Sequence, residues 1–149
     1  MLEESENFSI GLRGVLKEKG LKIFSQNDEI TVSKTVDFDI ASKEISSINL
    51  FCQSIISEII LAFKNELKNR KIEILELEGV GKFILKNPLF ILGVKGYENK
   101  PKISEIYIKI YAYLGDEIGD EILSNALVKC PIYQTLCEVI KFQIDLKCE

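Results

Sequence analysis

Apolar and polar positions alternate loosely from Phe8 to Leu16 (FSIGLRGVL), and Lys19-Gly20 offers a turn before LKIF. The polar run Ser25-Gln26-Asn27-Asp28 offers another turn before EITVSKT, which is rich in β-branched residues. Three short strands joined by tight turns predict an antiparallel sheet. From Ser46-Ser47, which can supply an N-cap, the period changes to three and four. Ile48, Phe51, Cys52, Ile55, Ile56, Ile59, Ile60, Phe63 and Leu67 then share one broad helical face. Leu50, Leu61 and Ala62 widen it beyond a single stripe. A helix from Ser46 to Asn69 is therefore expected, buried on more than one side and the most buried element of the chain. Lys68-Asn69-Arg70-Lys71 places cations at its negative end.

Near-alternation from Ile72 to Glu78 predicts a strand, with Gly79-Val80-Gly81 as a bend or bulge in a long hairpin. From Ile103 to Leu114, Ile106, Ile108, Ile110 and Ala112 point one way and Tyr107, Lys109, Tyr111 and Tyr113 the other. The tyrosine side is expected to be a sheet surface that another element covers, or else the wall of a ligand pocket. Asp116 or Asp120 can cap a second helix, with Ile118, Ile122, Leu123, Ala126 and Leu127 on its apolar face. That helix ends by Lys129, because the residue before Pro131 disfavours helical geometry. A short turn from Pro131 to Cys137 leads to a last strand, EVIKFQIDLK. Strands, long helix, strands, helix and strand make an α+β chain rather than a doubly wound sheet. One domain over 1–149 is expected, with a strand-rich part at 7–45 and a helix–strand–helix–strand part at 46–148.

With 46% hydrophobic and 28% charged residues, the chain can bury a core. A net charge of −4 leaves no cationic surplus for a nucleic-acid backbone. Histidine is absent, which excludes a Ser-His-Asp triad, a Cys-His pair and the His-containing zinc sites. An acid or base must then be Asp, Glu, Lys, Tyr or Cys. Cys52, Cys130, Cys137 and Cys148 show no C-x-x-C spacing, so a zinc ribbon or thioredoxin motif is not expected. The acidic start, MLEESENFS, is unlike a secretory or transit peptide. Ile48 to Leu67 is too interrupted by polar residues to be expected as a membrane span. A cytoplasmic location with reduced thiols and no membrane partner is the resulting expectation.

Ala126-Leu127-Val128-Lys129-Cys130-Pro131, closed by Leu136 and followed by a terminal strand, resembles the A-x-x-x-C-P-x-x-x-x-L signature of the OsmC/organic hydroperoxide resistance family. The long helix with its basic end and following strand is similar to that family's central helix. The resemblance spans nearly the whole chain. It implies an OsmC-like fold, with antiparallel sheets around a long central helix and a second helix, in an intertwined homodimer. Active members of the family reduce organic hydroperoxides or hydrogen peroxide with two cysteines, an arginine and often a glutamate. No cofactor and no metal are implied. Carried over residue by residue, the second family cysteine falls on Cys130, but the first falls on Glu58. Cys52 lies six residues earlier, rotated by roughly 120° and displaced by about 9 Å along a helix, so it is not a substitute. The glutamate at the start of the family helix falls near Ile48 or Asn49, with Glu44 just outside. Arg13 matches the family arginine.

Peroxide reduction needs a thiolate, and its sulfenic acid must meet a second thiol within disulfide reach or wait for an external one. A carboxylate at position 58 facing Cys130 raises the thiol pKa and removes the intramolecular partner. Two readings follow. One is a thiol-dependent peroxide reductase of weak or atypical activity, with Cys130 as thiol, Arg13 as activator and Glu58 in proton transfer. The other is a non-catalytic homodimer that binds a small hydrophobic molecule at its interface, or is merely structural. Cys52 reads as a core thiol, and Cys137 and Cys148 as incidental.

Overall fold

A computed structural model describes residues 7–33 and 43–149. The chain divides into two compact units, residues 1–50 and 51–149, and the long helix α1 (Ser47–Asn69) runs across the division. In the first unit, β1 (Arg13–Lys17), β2 (Gly20–Phe24) and β3 (Glu29–Val32) form the expected antiparallel sheet in the order β1-β2-β3. β1 starts later than the alternation suggests. Residues 7–12 have no regular structure, and Phe8, Ile10 and Leu12 are exposed. Lys34 and Thr35, expected to prolong β3, lie outside the described residues, as does most of the acidic start.

Ser46 caps α1 as its position suggests: its Oγ accepts from the Asn49 N–H at 3.1 Å. In the second unit, β4 (Ile74–Lys86), a short helix α2 (Pro88–Ile91), β5 (Lys102–Leu114), α3 (Glu121–Val128), α4 (Pro131–Leu136) and β6 (Lys141–Cys148) follow. β4 and β5 make a long antiparallel hairpin, but β6 runs parallel to β5, which corrects the all-antiparallel expectation. The physical reason is the connection. Two helices between β5 and β6 span enough chain to carry it back to the end of the sheet where β5 began, which a tight turn does not do.

The Gly79-Val80-Gly81 bend is also corrected. β4 passes straight through it, with Gly79 opposite Ile110 and Gly81 opposite Ile108, and the irregularities lie at Ile74/Glu76 and Ile84/Leu85. The glycines serve a close approach instead. A Cβ at Gly79 would stand 2.8 Å from Ile60 Cγ1, and one at Gly81 3.0 Å from Ile56 Cδ1. α1 lies against the sheet because these two positions have no side chain.

The core gathers Ile55, Ile59, Phe63 and Leu67 of α1 with Ile106, Ile108, Ile110, Ala112 and Leu114 of β5. Ile122, Leu123, Ala126, Cys130 and Ile140 complete it. The buried face of β5 is the one its alternation indicates. Within one chain the buried residues of α1 make a single stripe, and β5 is buried over a larger share of its length. Phe51 and Leu61 of α1 stay exposed. α1 is long and apolar enough to cross a membrane by length and composition, so its polar residues do not exclude a span. Its stripe is nonetheless occupied by the core.

Candidate functional site

The α3–α4 junction is built around Cys130 and Pro131. Cys130 takes an extended conformation (φ −98°, ψ 101°), as the residue before a proline prefers. It ends α3 and is the N-cap residue of α4. Pro131 sits in the first turn of α4, where a missing N–H costs nothing. Pro131–Leu136, inside the expected Pro131–Cys137 turn, is a helix, and a proline just inside a helix start is its usual signal. Cys130 cannot cap α4, because its side chain turns into the core and is wholly buried. Its thiol donates to the Ala126 carbonyl at 3.5 Å, and the Glu58 backbone carbonyl lies 4.0 Å away.

Glu58, projecting from α1, supplies the cap instead. Its Oε1 accepts from the backbone N–H of Ile132 at 3.0 Å and of Tyr133 at 3.2 Å, and Oε2 accepts from Ile132 at 3.2 Å. A carboxylate on the first N–H groups of a helix is favoured both by hydrogen bonding and by the helix dipole. The structure thus brings Glu58 and Cys130 together, as their positions in sequence suggest, but each faces a different task. The Ile132 and Tyr133 amides were not foreseen as members of the site. Burial pushes the Cys130 thiol up to about 11, and the Glu58 charge adds to that push. At neutral pH this sulfur is a thiol.

Lys129, next to Cys130, turns away to a second cluster. Its Nζ donates to Glu66 Oε2 at 3.0 Å, and Arg70 Nε approaches Oε1 at 3.4 Å. Glu66 is almost fully buried, and the hydrogen bond from Lys129 is the main cause that holds its carboxyl below the usual range. This pair ties the end of α1 to the end of α3, one residue before Cys130. Glu66 went unnoticed in the sequence, although it stands beside Phe63 and Leu67 on the buried stripe.

Arg13 lies on β1 in the 1–50 unit, exposed, with its guanidinium 5.9 Å from the centre of the Phe24 ring. Cys52 is partly buried and burial raises its thiol; all four cysteines are free. Tyr107 donates to Glu105 at 2.7 Å, while Tyr111 and Tyr113 are exposed beside Glu76, Glu78 and Lys147 along an open cleft of about 310 Å³. An apolar groove of about 270 Å³, lined by Phe51, Pro131, Ile132, Thr135 and Leu136, opens next to the capped end of α4. Among the described residues no group of three or more Cys, Asp or Glu side chains is placed to hold a metal.

No protein-family model and no curated protein matches this sequence. Solved structures do match. An OsmC-like protein from Mycoplasma pneumoniae is similar at a TM-score of 0.71 and 14% identity, over 97% of this chain and 98% of that one. The organic hydroperoxide resistance protein OhrB of Bacillus subtilis is similar at 0.60 and 15%, over 94% and 98%. An organic hydroperoxide resistance protein from Elizabethkingia anophelis is similar at 0.66 and 13%, over 98% and 100%. Over nearly its whole length, this chain has the α+β fold of OsmC-like and organic hydroperoxide resistance proteins.

Proposed function

We propose that this protein is a cytoplasmic, OsmC-like homodimer related to the thiol-dependent peroxide reductases of oxidative-stress defence, in which two-cysteine peroxide reduction has been lost. The observation that carries this reading is the Glu58 carboxylate bonded to Ile132 and Tyr133 beside a buried thiol pushed up to about 11. Nucleophilic attack on a peroxide oxygen needs a thiolate with access to the substrate. Cys130 has neither, and the position from which a second sulfur would reach it holds a capping carboxylate. The exposed apolar residues Phe51 and Leu61 of α1 support a second copy as cover for its outer side.

The test treats the protein with one equivalent of an organic hydroperoxide and follows both turnover with a dithiol and the mass of the Cys130 peptide. Slow oxidation, no turnover and no Cys130–Cys52 disulfide are expected. Glu58→Cys should place a thiol within bridging range of Cys130, and oxidation should link the two. Rapid turnover by the unmodified protein, abolished by Cys130→Ser, would overturn the reading and leave Glu58 in proton transfer with Arg13 as activator.

The apolar groove over Ile132 and Leu136 favours binding of a small hydrophobic molecule as the remaining role. A fluorescent apolar probe should bind there in competition with a medium-chain alcohol, and Leu136→Asp should abolish binding. Unchanged binding by that variant would remove the groove from consideration.

A further inference from the structure

The β4–β5 hairpin ends in a tip, residues 87–101, whose backbone is pinned while its apolar side chains stay uncovered. Asn87 is left-handed (φ 59°), and its Nδ2 donates to the Lys100 carbonyl at 3.0 Å, closing the base of the tip. Inside it, Gly93 N–H donates to Phe90 at 3.2 Å and Val94 N–H to Leu89 at 3.2 Å. Gly93 and Gly96 take left-handed φ values of 70° and 92°, which let the chain fold back on itself. Leu89, Phe90, Leu92, Val94 and Tyr97 are all more than a third exposed. Few apolar residues this large gather on a protruding turn without something to cover them.

The charges around the tip are one-sided. From Lys86 to Lys102 the sequence carries four exposed lysines, Lys86, Lys95, Lys100 and Lys102, and one acid, Glu98, in a chain whose net charge is −4. Lys86 and Lys102 stand opposite each other in the ladder, where like charges repel. An anionic partner relieves that repulsion. We propose that this tip seats on an anionic lipid surface, with Phe90, Leu89 and Leu92 at the acyl boundary and the lysines among the headgroups. Exposed apolar residues with Lys86, Lys100 and Lys102 at the base of the hairpin tip suit an interfacial anchor. A second copy meeting tip to tip about a twofold axis would set these lysines against one another, so the charge favours lipid over self-association here.

The inference stands apart from the reading of the Cys130 site. Its test is co-sedimentation of the full chain with vesicles of phosphatidylcholine alone and of an equal mixture with phosphatidylglycerol. Binding to the anionic vesicles only, weakened by salt, is expected. Lys86→Gln and Lys102→Gln should each lower partitioning about fivefold. Phe90→Ser should lower it about tenfold or more with the melting temperature unchanged. No binding, binding equal on both vesicles, or binding untouched by Phe90→Ser overturns the proposal. So does a Phe90→Ser variant that turns a dimer into a monomer, since a second copy then covers the tip.

Discussion

Replacing Glu58 separates a structural carboxylate from a catalytic one. In Glu58→Ala the Ile132 and Tyr133 amides lose their acceptor, and the first turn of α4 is left without a cap. An ordinary cap is worth about 1 kcal/mol, with a range of about 0.5–2. Here the acceptor is charged, partly buried and aligned with the helix dipole, which raises the expected loss to about 2–3 kcal/mol. For a domain of this size that is a fall in melting temperature of roughly 4–12 °C. Glu58→Gln keeps an Oε1 that receives both amides, but turns an NH₂ toward Ile132 N–H at the 3.2 Å contact now made by Oε2. It should cost less, about 1 kcal/mol. Both variants should lower the Cys130 pKa only in part, because burial is its larger cause. Urea unfolding at constant m-value, with the rate of thiol alkylation against pH, measures both effects. A loss below about 0.5 kcal/mol for Glu58→Ala would refute the capping argument. So would a Gln variant as unstable as the Ala variant.

Ile59→Ala, at a wholly buried position against β5, should cost about 2–5 kcal/mol in denaturant unfolding. Hydrogen exchange that shows α1 opening first would contradict the placement of the core. Gly79→Val should destabilise by about 1–3 kcal/mol through overpacking against Ile60, and Ile60→Ala should recover part of the loss in a double-mutant cycle. Glu66 has a lowered folded pKa, so its stabilisation is present above the unfolded value and disappears as pH falls through the folded one. A melting-temperature profile from neutral to acid pH should show this dependence, and Lys129→Met should flatten it.

The elements with strong periodicity were legible: the period-two face of β5 and the period-four stripe Ile55, Ile59, Phe63 and Leu67 of α1 are buried as their patterns indicate, while the wider apolar surface of α1 is not covered within one chain. Non-local facts were not. The parallel pairing of β6 depends on what two helices do between strands, and the straight path of β4 depends on Ile56 and Ile60 arriving from elsewhere. A glycine pair in a strand signals either a bend or a close approach, and only the neighbour decides. At the site, the meeting of residues 58 and 130 followed from the motif and the helix spacing. The partners of Glu58 did not, because they are backbone amides and carry no mark in the sequence. Glu66 was hidden for a related reason: a glutamate on an apolar stripe reads as an edge residue until Lys129 is known to reach it.

The Cys-Pro pair has a structural use that is independent of peroxide. Pro131 starts α4 without wasting a donor and forces residue 130 out of helical geometry, so side chain 130 points into the core at the end of α3. What fits there is small, apolar and able to lie close to the Ala126 carbonyl, which a thiol satisfies. Packing alone is therefore enough to account for Cys130, which accords with the proposed loss of peroxide chemistry. On this view Cys130→Ala should fold normally at a cost of about 1–2 kcal/mol, chiefly from the cavity left by the sulfur. Its far-ultraviolet circular dichroism and oligomeric mass should match the parent protein, and only the slow stoichiometric oxidation of Cys130 should be lost. Catalytic peroxide turnover that vanishes with Cys130→Ala, while the fold persists, would make the sulfur a catalytic atom despite its burial.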